Sequence, residues 1–136
     1  MKYKGYVTSR SFGGMVMPVP AQNSCLREYV ANKNGTFILP DLESSFENCF
    51  HQLFGAINNI SSGEALVMYS LSMLPNGKKL KDLLHKCTIK KITLAFVLEN
   101  FTVCEDYSKV VNDLNDYQLA SLELHEDRLD EILSAP

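Results

Sequence analysis

The chain has 136 residues, about the commonest size for a single domain, and its 46% hydrophobic and 21% charged content is ordinary for a packed globular protein. Sixteen Asp and Glu outnumber thirteen Lys and Arg, which argues against a nucleic-acid-binding protein because such proteins neutralise phosphates with basic residues. No stretch approaches the roughly 20 apolar residues of a membrane span, and the first residues lack the apolar core of an export signal. We therefore expect a cytoplasmic, single-domain protein with no membrane span and no nucleic-acid partner.

Hydrophobic periodicity predicts strands and helices that alternate along the chain. Residues 3–9 are β-prone, residues 46–60 carry the broadest amphipathic face, and residues 65–71 are almost continuously apolar, as in a central strand covered on both faces. The lysine-rich residues 78–86 predict a helix with a solvated basic face. In chain order, the predicted strands are 3–9, 36–39, 65–71 and 91–98, and the predicted helices are 21–33, 46–60, 78–86 and a helical pattern beyond Glu105.

This alternation predicts an α/β fold with a mainly parallel four-stranded sheet and helices on both faces, which makes three layers. We expect one domain over residues 1–136, with a core over 1–104 and a C-terminal helical segment over 105–136. Leu119, Leu122, Leu129 and Ile132 are apolar positions of that segment that offer a surface for a homo-oligomer or a docked partner.

Polar side chains follow the predicted strands at the point where each strand ends. Because ligands of open parallel sheets bind beyond the carboxyl ends of the strands, we expect these side chains to meet in one pocket. A guanidinium, carboxylates and hydroxyls together suit a phosphorylated or polyhydroxylated small molecule. The candidate ligand-binding residues are Ser9, Arg10, Tyr69 and Ser70, and the candidate acid/base residues are Glu43 and Glu99, with Asp41 close by.

Each of these groups also has a purely structural interpretation. Arg10 is equally expected to pair with Glu43 or Glu99 across the sheet edge, and the serine hydroxyls to bond within the strand ends. No His has an evident place beside Ser9 or Ser70, so a Ser-His-Asp arrangement is not predicted.

The four cysteines are widely spaced, with no Cys-x-x-Cys pair, and the three histidines are scattered. Without an export signal we expect reduced thiols, and the spacing predicts no bound metal. We also expect no cofactor. Cys49 is the one cysteine with a candidate catalytic role. It falls on the apolar face of its predicted helix, where a cysteine packs as a small hydrophobe, yet close to the helix N-terminus, where a thiolate is stabilised; both interpretations stay open.

Residues 5–10 (Gly-Tyr-Val-Thr-Ser-Arg) are similar to the opening Gly-Tyr-x-Arg-x-Ser strand of the serine recombinases, the family of resolvases and invertases. The resemblance spans residues 3–104 and implies a resolvase-like fold. It places Arg10 at the position of the recombinase serine, Thr8 at the preceding arginine position and Met73 where a catalytic arginine belongs. Without those arginines the site cannot stabilise a phosphoryl transition state, so the resemblance does not extend to DNA recombination.

The combination of Gly-Tyr-Val-Thr-Ser-Arg with Met-Tyr-Ser-x-x-Met-Leu-Pro resembles the sporadic carbohydrate cluster family, small proteins found among bacterial polysaccharide-biosynthesis genes. The matching segments are 4–10, 18–23, 48–50, 67–75 and 97–100. The resemblance implies a role in the assembly of lipopolysaccharide, capsule or another surface glycan, and it supplies no reaction. Gln22, Asn23 and Asn48 lie in matching segments and complete the candidate ligand-binding residues.

Two functional hypotheses follow. In the first, the protein binds or modifies a sugar or sugar nucleotide at the carboxyl edge of its sheet, with Arg10 holding a phosphate or carboxylate, Glu43 or Glu99 as acid/base, and Tyr69 and Ser70 orienting hydroxyls. In the second, it is a non-catalytic regulatory or scaffolding partner of a glycan-biosynthesis enzyme. Whether it is an enzyme is left open.

Overall fold

Strands and helices alternate in the computed structural model, which describes residues 1–12, 14, 16–40, 42–43, 50–104, 107–108, 110–112 and 114. The strands are β1 (Lys2–Thr8), β2 (Thr36–Ile38), β3 (Leu42–Glu43), β4 (Ala65–Met68), β5 (Thr93–Phe96) and β6 (Phe101–Val103). The helices are α1 (Val19–Asn32), α2 (His51–Asn59) and α3 (Gly77–Lys90), with a 3-10 turn over Leu71–Met73. No helix in these ranges is long and apolar enough to cross a membrane.

Five of the strands form one sheet in the order β2-β1-β4-β5-β6, and β3 pairs with the carboxyl end of β1. The pairs β1–β2, β1–β3, β1–β4 and β4–β5 are parallel. Strand β6 runs antiparallel to β5, because the chain reverses between Phe96 and Phe101 through a tight turn in which Asn100 has a φ of 53°. The mainly parallel α/β class predicted from the sequence is confirmed.

The sheet is larger than the four strands that the sequence predicts. Strands β3 and β6 were not predicted. The two residues of β3 are too few to show a hydrophobic period, and part of the turn that separates β6 from β5 was included in the predicted strand 91–98. The last predicted strand also ends earlier, at Phe96, since residues 97–100 form the turn that leads into β6. Helix α3 instead runs four residues beyond its predicted end and stops at Lys91, which has a left-handed φ of 55°.

Alternation along β1 sorts its side chains between two hydrophobic clusters, one on each face of the sheet. Tyr3 and Val7 pack with Leu26 and Val30 of α1. On the other face, Tyr6 packs in a larger cluster with side chains of β4 and β5, and with apolar residues of α2 and α3. The predicted three layers are therefore present, with α1 on one face and α2 and α3 on the other.

The chain beyond β6 joins the larger cluster. Tyr107 donates its hydroxyl hydrogen to Ile92 O (2.7 Å) and Cys104 O (3.0 Å), and Val110 and Leu114 are buried. The helical pattern predicted beyond Glu105 is present at residues 108, 110–112 and 114. The remaining apolar positions of the predicted C-terminal segment, and with them its predicted oligomer interface, lie outside the described residues.

Candidate functional site

Arg10 lies where β1 leaves the sheet at its carboxyl end. Its backbone N–H donates to Thr8 Oγ1 (3.3 Å), which turns the chain out of the strand. Its guanidinium donates from Nη2 to the Tyr6 hydroxyl (3.2 Å), and its Cζ stands 4.2 Å from the centre of the Phe50 ring. Ser9, beside it, is exposed. Arg10 is thus a half-buried cation that contacts both a hydroxyl and an aromatic ring.

A second cation approaches the same ring. Lys79, in the first turn of α3, places its Nζ 5.6 Å from the centre of the Phe50 ring. The charged groups of Arg10 and Lys79 therefore lie no more than about 10 Å apart. The sequence predicted Lys79 as part of a solvated basic face, and no local signal links it to a residue nearly 70 positions earlier in the chain. Only the packing of α3 against the start of α2 brings the two cations together.

Glu43 performs a structural task at this edge. Its side chain is 2% exposed, and its carboxylate accepts the backbone N–H groups of Gln52 (3.0 and 3.2 Å) and Leu53 (3.1 Å) in the first turn of α2. These are donors that a helix leaves unsatisfied at its N-terminus, where a negative charge is also favoured. The carboxylate further accepts the hydroxyl hydrogen of Tyr6 at 3.2 Å.

Tyr6 connects Glu43 to Arg10. Its hydroxyl donates to Glu43 and accepts from Arg10, so the three side chains form a continuous chain of hydrogen bonds. Burial raises the pKa of the Tyr6 hydroxyl well above its usual value; the Arg10 cation opposes this shift and the Glu43 carboxylate adds to it. The tyrosine is therefore held as a neutral hydroxyl between the two charges.

Gln22 fastens the end of β1 to the loop that precedes α1. Its Nε2 donates to Thr8 O (2.7 Å) and Met17 O (2.8 Å), and its Oε1 accepts Thr8 N–H (3.3 Å). The side chain is fully buried, so the candidate ligand-binding amide is used within the chain. Its neighbour Asn23 differs, because its buried Oδ1 has no hydrogen-bond partner among the described residues.

Ser70 and Glu99 support the turn that follows β4. The Ser70 hydroxyl accepts Ser72 N–H (3.2 Å) and pairs with the Ser72 hydroxyl (2.8 Å), which caps the 3-10 turn. Glu99 Oε1 accepts the N–H of Leu71 in the same turn. This contact directs the Glu99 carboxylate to the backbone of the turn, which the pattern of polar residues at strand ends did not predict.

Tyr69 joins the ends of β1 and β4. Its ring lies 6.2 Å from that of Phe12, two residues beyond Arg10, at a tilted angle of 59°. The structure therefore brings Arg10, Glu43, Tyr69 and Ser70 to the same edge of the sheet, as the sequence predicted. The candidates Asn48 and Cys49, like Asp41, lie outside the described residues.

The cysteines within the described ranges differ in burial. Burial raises the pKa of Cys87 to about 12, Cys25 is half-buried, and Cys104 is exposed. No three His, Cys, Asp or Glu side chains in the described part of the chain come together as a metal site.

Comparison with solved structures defines the class of the fold. A resolvase family site-specific recombinase from Streptococcus pneumoniae superposes with a TM-score of 0.62 at 14% identity, covering 97% of this chain and 93% of the recombinase chain. The N-terminal catalytic domain of TP901-1 integrase superposes with a TM-score of 0.55 at 16% identity, covering 96% of this chain and 99% of that domain. The protein has the fold of resolvase catalytic domains.

At these identities the likeness concerns the fold alone. No protein-family model and no curated protein matches the sequence. Thr8 and Met73, which stand at the two recombinase arginine positions in the sequence resemblance, are both buried, and Met73 belongs to the larger apolar cluster. Neither position supplies a cation to the edge that holds Arg10.

Proposed function

We propose that this protein is a cytoplasmic component of surface-polysaccharide biosynthesis that binds a phosphorylated sugar or a sugar nucleotide at the carboxyl edge of its sheet. The observation that carries the proposal is the approach of Arg10 and Lys79 to one ring, that of Phe50. Guanidinium and ammonium groups are the usual partners of phosphate, and this edge is where open parallel sheets bind ligands.

The glycan context of this proposal comes from the segments that resemble the carbohydrate cluster family, and several of these segments meet at the same edge. The segment ending in Arg10 leaves β1 at this edge, and the segment containing Tyr69 and Ser70 leaves β4 there. Gln22, from a third segment, hydrogen-bonds the end of β1. Residues that are far apart in sequence and share the resemblance thus gather around one edge, as expected of a common binding function.

The contacts favour binding over turnover. Both candidate acid/base carboxylates accept backbone N–H groups that position α2 and the turn after β4. A general acid or base must reach the substrate within hydrogen-bonding distance, and Glu43 is almost fully buried. We therefore place the phosphate at the Arg10–Lys79 pair and assign Glu43 and Glu99 to holding the site in shape.

A second candidate function is that of a regulatory partner of a glycan-biosynthesis enzyme. Two apolar side chains are exposed in loops at the same edge, Val16 at 71% and Leu98 at 49%. Exposed apolar groups beside a polar site are a common feature of protein–protein contacts. In this function the enzyme would dock over the edge that carries Arg10.

Thermal-shift measurements with UDP-glucose, glucose 1-phosphate, glucose and a short DNA duplex test the proposal. A ligand at 100 times its Kd adds about 2.7 kcal/mol, which raises the Tm of a domain of this size by several degrees. We expect a shift with one or both phosphorylated sugars that Arg10→Ala removes. Arg27→Ala is the matched control, because Arg27 also stacks on a phenylalanine, Phe37 at 5.3 Å, and it lies on α1.

The alternatives predict different patterns. Equal shifts with DNA and with sugar phosphates would indicate unspecific anion binding and contradict the proposal. The absence of any thermal shift would favour the docking function. That function is tested by replacing Val16 and Leu98 with Ser, which should reduce the capture of glycan-biosynthesis enzymes by this protein.

A further inference from the structure

A cavity of about 200 Å³ lies on the α2 side of the sheet, toward the amino ends of β1 and β4. None of its lining residues belongs to the edge that holds Arg10. Its lining residues are Lys4, Ile38, Ala56, Asn59, Ile60 and Glu64.

Strand register places the charged side chain of Lys4 on the face of the sheet that carries the larger hydrophobic cluster. Lys4 pairs with Ile38 of β2 on one side and with Leu66 of β4 on the other. Leu66 and Tyr6, two residues further along β1 and therefore on the same face, are both buried in the larger cluster. Lys4 is half-buried and donates from Nζ to Leu39 O at 2.6 Å.

An opposite charge lies on the same face of the neighbouring strand. Glu64 precedes Leu66 by two residues, so alternation directs both to the side that carries Lys4. Its Oε2 accepts Ser61 N–H at 3.3 Å. At the end of α2 nearby, Lys90 Nζ donates to the carbonyls of Ile57, Asn58 and Ile60.

The size of one side chain leaves the cavity open. Ala56 of α2 lines it, whereas the buried positions of the same helix, Leu53 and Ile57, carry large aliphatic groups. The remaining lining combines two aliphatic side chains, Ile38 and Ile60, with the amide of Asn59. A cation, a carboxylate, an amide and an aliphatic wall therefore surround one small volume.

We propose that this cavity binds a small zwitterion, an α-amino acid with a short aliphatic side chain. The ligand carboxylate faces Lys4, its ammonium faces Glu64, and its side chain packs against Ile38, Ala56 and Ile60. Charge complementarity at both ends distinguishes such a ligand from a simple anion or cation. Lys4 is the one cation of this lining, whereas the two cations Arg10 and Lys79 lie at the other edge, so we expect the two sites to take different ligands.

Isothermal titration of the full chain with L-alanine, L-valine and L-leucine tests the proposal, with acetate and methylammonium as single-charge probes. We expect one of the amino acids to bind at least about tenfold more tightly than either probe. Ala56→Leu fills the cavity and should abolish this binding. The matched control is Gly55→Ala on the same helix, where a Cβ meets no atom within 4 Å and binding should be unchanged.

Charge-removing variants provide the second measurement and keep the proposal testable if Ala56→Leu does not fold. Lys4→Met and Glu64→Gln should each weaken binding by about tenfold or more. The proposal is overturned if no amino acid binds at millimolar concentration. It is equally overturned if a folded Ala56→Leu variant binds like the wild type, or if acetate binds as tightly as the best amino acid.

Discussion

The carboxylate of Glu43 accepts the hydroxyl hydrogen of Tyr6 at 3.2 Å, and this contact joins β3 to the centre of β1. The same carboxylate holds the first turn of α2, and the same hydroxyl receives the guanidinium of Arg10. A structural carboxylate and a candidate phosphate-binding cation are therefore linked through one tyrosine. A substitution of Glu43 should therefore change both the free energy of unfolding and the affinity for the ligand.

We expect Glu43→Ala to lower the free energy of unfolding by about 2–4 kcal/mol, because it removes a helix cap and leaves the N–H groups of Gln52 and Leu53 unsatisfied in a buried place. Urea denaturation measures the loss. Formate, added at high concentration, should restore part of the stability by occupying the vacated position. A loss below about 0.5 kcal/mol would show that Glu43 does not cap α2.

Gln22→Ala should cost about 2–3 kcal/mol, since it removes three hydrogen bonds at a fully buried side chain, two of them to the backbone N–H and C=O of Thr8. Glu28→Ala, at an exposed position of the same helix, serves as the control and should change stability by less than about 0.5 kcal/mol. Urea denaturation of both variants measures the two changes in the free energy of unfolding. Equal effects of the two substitutions would argue against a stabilising role of the Gln22 hydrogen bonds at the end of β1.

Lys90→Met should destabilise the protein by about 1–2 kcal/mol, because Lys90 Nζ donates to three carbonyls at the C-terminal end of α2. Lys86→Met offers a matched comparison on the same helix. Its Nζ makes a longer, exposed contact with Asn58 Oδ1 at 3.5 Å and lies 5.2 Å from the centre of the Phe54 ring, and we expect a loss below about 1 kcal/mol. Similar losses in the two variants would contradict a specific role of Lys90 at the helix end.

Lys91→Gly should stabilise the protein by about 0.5–1 kcal/mol. Lys91 ends α3 with a φ of 55°, a left-handed conformation that glycine adopts without steric cost. The Tm of the variant measures this gain. A lower Tm would mean that the Lys91 side chain contributes more than its backbone conformation costs.

Cys87 should make stability depend on alkaline pH. Burial raises its pKa to about 12 from a usual value of 9.0, so the folded state keeps the proton that the unfolded state releases. Its contribution is complete below pH 9 and is lost as the pH rises toward 12. The difference in urea midpoint between the wild type and Cys87→Ala should therefore shrink between pH 8 and about pH 10.5; a constant difference would contradict this assignment.

The hydrophobic period of the sequence was sufficient to predict the α/β class, the parallel core strands and the helices α1 and α3 within a few residues. These features depend on neighbours along the chain, such as Leu26, Tyr29 and Val30 of α1, which form one buried stripe on the helix. The gathering of Arg10, Glu43, Tyr69 and Ser70 at one edge was also predictable, because parallel strands all end on the same side.

The contacts made by these polar residues at the sheet edge could not be predicted, because they depend on the tertiary structure. Glu99 and Glu43 are carboxylates at strand ends, and only the positions of Leu71, 28 residues away, and of α2 reveal that they bind backbone N–H groups. The approach of Lys79 to Phe50 and Arg10, and the cavity left beside Ala56, likewise arise where separate elements pack together. Local patterning determines which elements form and which face is buried, whereas hydrogen-bond partners and cavities are determined by contacts between residues that are distant in the chain.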